Sequence, residues 1–199
     1  MDLRPIRGGF VRPFGCGWFI REFLLGHGPE GSPKMDPLIG ACQEDIFYHY
    51  KKALHKAYCD DAIAWENEER IRRGKPIYTE QEYAERLEHL MSRIPYKLVK
   101  CRYHSFQRYF HLLKQLGWVE FTGKEEPASM QDYYPEAPPR RYYRLIEKGI
   151  NAPDYEWSNP QLTLYPERPL EYFREKRRQH KYSRRAPTLS RKSQHPYLQ

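Results

Sequence analysis

"HSFQRYFHLLKQLGWVEFTG", residues 104–123, changes its periodicity part-way along. Phe106, Phe110, Leu113 and Leu116 recur at steps of three and four, the spacing of one helix face. Gly117 follows, the residue type that best takes the left-handed turn closing a helix. "WVEFT", 118–122, then alternates and is rich in β-formers. The stretch therefore reads as a helix over about 103–116, a glycine turn and a strand. A long loop with four prolines spans 123–139. "RRYYRLI", 140–146, alternates again and reads as the partner strand, with Gly149 as its stop.

The helix carries two chemistries. With Phe106, Phe110 and Leu113 turned inward, the outward set is His104, Ser105, Gln107, Arg108, His111 and Lys114. A helix that reads DNA needs such a pair of faces, one for anchorage and one for the major groove. Arginine binds guanine bidentately and glutamine pairs with adenine. Serine and lysine suit phosphates. Lys97, Lys100 and Arg102 lie just before this helix and are basic, as phosphate contacts require. Arg140, Arg141 and Arg144 open the second strand and would reach the minor groove or the backbone. The intervening loop carries Glu125, Glu126, Asp132 and Glu136 against Lys124 alone, so its tip is expected to avoid phosphate.

"LLKQLGWVEFTG" followed by "RRYYRLIEKG" resembles the winged helix-turn-helix family of transcription regulators, notably its PadR- and MarR-like branches. The resemblance covers about residues 93–149, and Ile146 stands where the family usually has threonine. It implies a mainly α fold with a small β-wing (α+β), a recognition helix at about 103–116, and double-stranded DNA as partner. The expected function is a sequence-reading DNA-binding protein that regulates transcription. A helical insertion at about 38–73 separates the first helix from the next; alternatively, helices near 43–57 and 79–93 are themselves the first two of the motif. The insertion's aromatics, Phe47, Tyr48, Tyr50, Tyr58 and Trp65, either wrap the core or form a homodimer surface.

The rest of the chain frames that unit. Residues 1–14 read as an irregular arm, and 17–26 as a short helix ended by Gly26. The pattern at 37–73 reads as two helical pieces, with Leu38, Cys42, Ile46, Tyr50, Leu54 and Ala57 on one buried face. Thr79 with Glu82 is a capping box, and Tyr83, Leu87, Leu90 and Met91 form the stripe of that helix. Residues 15–150 make the winged-helix domain and 151–199 a basic extension. A helix is plausible at 170–182, and the last 17 residues have a disordered composition. Arg174, Lys176, Arg177, Arg178, Lys181, Arg184 and Arg185 suit sequence-blind, salt-dependent phosphate contact.

Charge agrees with a polyanion partner. The net is +8, and residues 151–199, with ten basic and five acidic side chains, hold more than half of it. Aromatics at 15% argue against full disorder. Cys16, Cys42, Cys59 and Cys101 have no C-x-x-C spacing, so reduced thiols in a cytoplasmic protein (nucleoid-associated in a prokaryote) are expected. Cys42, Asp45 and His49 share a helix face but lack a fourth metal ligand. No catalytic motif is recognisable, so no enzyme activity, cofactor or metal is expected, nor is a membrane partner. Two other classes remain: a protein-interaction module in a larger assembly, and RNA or single-strand binding through the basic tail.

Overall fold

The computed structural model describes residues 14–94, 101–127 and 138–167, together with Tyr172 and Glu175. It is mainly helical, with one three-stranded antiparallel sheet. One compact unit runs through Leu164, and the chain from Tyr165 onward forms a second. Lys97, Lys100, the loop tip at 128–137, the arm at 1–13 and the basic tail positions from Arg174 to Arg185 lie outside the described residues.

Helix α1 (Cys16–Leu24) buries Phe19, Ile20, Phe23 and Leu24. Turns lead to the two-residue strand β1 (Ala41–Cys42), which runs directly into α2 (Gln43–Arg72). Helix α3 (Glu80–Arg93) is followed by α4 (Tyr103–Leu116), β2 (Val119–Glu126) and β3 (Arg140–Leu145). Three short helices close the unit: α5 (Glu147–Asn151), α6 (Asp154–Ser158) and α7 (Pro160–Leu164). The strand order is β1-β3-β2, with Ala41 opposite Tyr143, and Phe121 opposite Tyr143 on the other side.

The expected two helical pieces at 37–73 are one uninterrupted helix, α2, of 30 residues. Its charge run does not break it, because the ions find partners beside the helix: Glu69 holds Arg72 and Arg73, and Glu66 holds Arg86 of α3. Leu38 is not on the buried face. It is 74% exposed, because the chain ahead of α2 is drawn into the sheet by the pairing of Ala41 and Cys42 with β3.

Two apolar clusters divide α2. The larger one joins α1, the first half of α2, α4 and the sheet around Tyr50, Leu54, Phe110 and Trp118. The smaller one joins the second half of α2 to α3 through Cys59, Ile63, Leu90 and Ile94. Among the described residues, then, the helical hairpin outside the main core comprises the later half of α2 together with α3. Within α2, residues as far as Leu54 contribute to the main core, and His55 bonds the Ile94 carbonyl of the smaller cluster at 3.0 Å. The capping box at the start of α3 is formed: Thr79 Oγ1 accepts from the Glu82 N–H at 3.4 Å, and the Glu82 carboxylate accepts from the Thr79 N–H at 2.8 Å.

The end of the first unit lies beyond residue 150. Trp157 of α6 is 2% exposed and rests on Trp118, with ring centroids 4.8 Å apart. Gly149 does not stop β3; it sits inside α5, where a Cβ would come within 2.4 Å of the Trp118 carbonyl oxygen. No helix among the described residues is long and apolar enough to cross a membrane.

Candidate nucleic-acid interface

Helix α4 is held on three sides. Phe106, Phe110, Leu113 and Leu116 are buried, with Phe110 edge-on to Tyr143 of β3 at 5.1 Å. Phe47 of α2 packs on Tyr103 and Phe106. The Tyr109 hydroxyl donates to the Trp157 carbonyl, which ties the helix to α6, and burial pushes that phenol's pKa up. The helix ends as the glycine predicts. Gly117 has φ 65° and ψ 40°. Its N–H bonds Lys114 O, and the Trp118 N–H bonds Leu113 O, both at 3.0 Å, which satisfies two terminal carbonyls.

The remaining face is polar and open. Arg102, His104, Ser105, Gln107, Arg108, His111, Lys114 and Gln115 are all exposed. At roughly 100° per residue, Lys114, Gln107, His111, His104, Gln115 and Arg108 span one continuous arc of about 120°. Ser105 lies off that arc, toward the flank of half-buried Leu112. No aspartate or glutamate occurs in α4. Exposed Glu44, at the start of α2, touches the helix. It accepts from the Tyr103 hydroxyl at 2.7 Å, and burial together with that carboxylate raises the Tyr103 pKa.

The strands present a different chemistry. Each arginine expected to reach DNA from β3 already has an acidic partner. Arg140 donates to Cys42 Sγ and to the Asp45 carboxylate. Arg141 Nε donates to Glu125 at 2.7 Å, and Arg144 Nε to Glu120 at 2.8 Å. The register sets these pairs, since Glu120 faces Arg144 and Glu125 faces Arg141 across the ladder. Lys124 pairs with Glu126 at 2.9 Å. The predicted set is thus divided: His104, Gln107, Arg108, His111 and Lys114 share one face of a helix that has no carboxylate of its own, with Glu44 at its Tyr103 edge, whereas Arg140 and Arg141 sit in a charge-matched ladder. Burial, against the nearby Arg140, pushes the Cys42 thiol up to about 11, so it stays neutral, and Asp45 is committed to Arg140.

Three features of the site were not anticipated: the acidic partners of the strand arginines, the Tyr109–Trp157 brace behind α4, and exposed Phe121 on β2. The first needs the strand register, which no sequence signal across a 17-residue loop supplies. Trp157 carried a signal, as a lone tryptophan among prolines.

Comparison of the chain with family models, curated proteins and solved structures finds no match. The interface is therefore read from its own chemistry.

Proposed function

We propose that this protein is a winged helix-turn-helix DNA-binding protein whose recognition helix is α4, and that it acts as a transcriptional regulator on double-stranded DNA. One observation carries the reading. The open face of α4 bears His104, Gln107, Arg108, His111 and Lys114 with no carboxylate in the helix, while its opposite face is buried in the core, and Arg102 is exposed at the N-cap. The element order, with a short strand before α2 and two paired strands after α4, supports a winged arrangement. In this reading Arg108 and Gln107 read base edges and Arg102 and Lys114 hold phosphates. The strands contribute little grip, because their arginines are already neutralised.

The experiment is a salt series of duplex binding by the full chain, a chain ending at Leu164, and a Gln107→Ala/Arg108→Ala variant. Binding by the shortened chain that disappears in the helix variant supports the reading. Binding that leaves with residues 165–199 sinks it and favours the tail as the nucleic-acid element.

A second reading has its own observation. Residues 58–93, which include the α2–α3 hairpin, carry nine acidic against six basic side chains, and Trp65 is 60% exposed there. This favours a protein-interaction module, with the hairpin meeting a basic partner.

A further inference from the structure

Phe121 stands out on the α4 side of the sheet. It is 43% exposed although it lies next to a core in which Tyr143, its cross-strand partner, is only 7% exposed. Alternation along the strands puts Phe121, Tyr143, Arg141 and Glu125 on one side of the ladder. The Lys114 ammonium, at the far end of the α4 face, lies 5.4 Å from the Tyr143 ring. The Arg141 guanidinium lies 5.7 Å from the Phe121 ring. An exposed aromatic ring thus sits on the α4 side of the sheet with the Arg141 guanidinium over it, while Lys114 of α4 lies over the ring of its cross-strand partner Tyr143.

The charges there select among partners. Glu125 takes Arg141 at 2.7 Å, so one of the two cations is neutralised in place. A phosphate gains little from such a pair. A neutral planar ring loses nothing to it, and gains contact with an apolar face that water covers poorly. Stacking of a base on an aromatic side chain is worth enough to change affinity by about tenfold or more, and it tolerates any base because each has a π-face. Lys114 would hold the phosphate that follows.

We propose that Phe121, with Arg141 beside it and Lys114 at the neighbouring Tyr143, is a stacking site for one unpaired nucleobase, so that the protein binds duplexes with a frayed, bulged or forked end better than fully paired ones. This rests on the reading of α4 as the duplex-facing helix, and it adds a ligand class that helix alone does not provide.

The test compares the full chain with Phe121→Leu and Phe121→Trp on two probes at one salt concentration: a blunt duplex, and the same duplex with a single-stranded fork carrying 2-aminopurine next to the junction. The wild type is expected to bind the fork about tenfold tighter and to quench the 2-aminopurine. Phe121→Leu, which keeps the apolar bulk at a half-open position, loses both effects and keeps duplex affinity. Phe121→Trp retains both. Equal affinity for fork and duplex in the wild type, or a fork preference unchanged in Phe121→Leu, overturns the proposal and leaves the α4 reading standing. Failure to bind either probe overturns both.

Discussion

Single residues fix how α4 is presented. Gly149 is the sharpest case, since the backbone of Trp118 occupies the space a side chain would need, at 2.4 Å from the carbonyl oxygen and 3.0 Å from Cα. Backbone cannot swing aside as a side-chain tip can. Gly149→Ala should therefore cost about 1–3 kcal/mol in urea unfolding, with α5 displaced from the end of α4. Gly117 is a different matter. Space is open around it, but φ is 65°, so Gly117→Ala should cost only about 1 kcal/mol, from backbone strain alone. A Gly117 variant as damaging as the Gly149 variant would mean that the turn is packed more tightly than its surroundings indicate. At this scale the sequence was legible for the turn and silent for the close approach: Gly117 followed a helical period, while Gly149 followed a strand and read as its stop. Only the folded chain brings Trp118, more than thirty positions earlier, onto Gly149.

Among the elements, the α2–α3 hairpin and the strand ladder lend themselves to separate tests. In the hairpin, Glu66 accepts from Arg86 Nε at 2.8 Å and from the Tyr78 hydroxyl at 3.2 Å. The Arg86 hydrogen bond is the main cause holding the Glu66 carboxyl below its usual range, against burial that opposes it. Because the folded pKa is depressed, the stabilisation is present above the unfolded value of about 4.3 and is lost as pH falls through the folded pKa. Thermal unfolding followed from pH 7 downward should show the hairpin weakening below about pH 4, and Glu66→Gln should flatten that dependence. An unaltered acid limb in Glu66→Gln would assign it to other carboxylates. In the ladder, Glu120 and Glu125 are half-exposed, so each ion pair contributes at most about 1 kcal/mol. Glu120→Gln/Glu125→Gln should leave stability nearly unchanged. By releasing Arg144 and Arg141, it should tighten duplex binding and steepen its salt dependence by about one to two charges. Unchanged affinity in this variant would mean the strands stay clear of the duplex. The two strands were legible as alternating runs, but their pairing was not: a 17-residue loop leaves the register open, and the register decides whether those arginines meet phosphate or glutamate.

Among the described residues, the first unit is organised around two unequal clusters threaded by α2. The larger holds α1, α4, the sheet and Trp157; the smaller, in the two-helix hairpin, has four buried members among the described residues, with partly buried side chains around them. Few buried contacts mean local opening at low free energy. Native-state hydrogen exchange should release the amides of α3 well before those of α4, and equal protection would indicate that something further covers the hairpin. The sequence showed α1, α3 and α4, because each carries a periodic apolar stripe, and it showed the polar face of α4. It did not show that 43–72 is continuous, since the charged run at 66–73 carries no apolar period to join the two pieces. Nor did it show that α6 and α7 complete the first unit: two five-residue helices are too short to establish a period.

The central claim is that the open face of α4 meets duplex DNA. The most direct measurement is amide chemical-shift mapping on the full chain, titrated with a random-sequence duplex at moderate salt. The account predicts that the largest shifts fall at His104, Gln107, Arg108, His111 and Lys114, with smaller ones on β2 and β3 and none on α3. Shifts confined to the residues after Leu164, or centred on the α2–α3 hairpin, would contradict it.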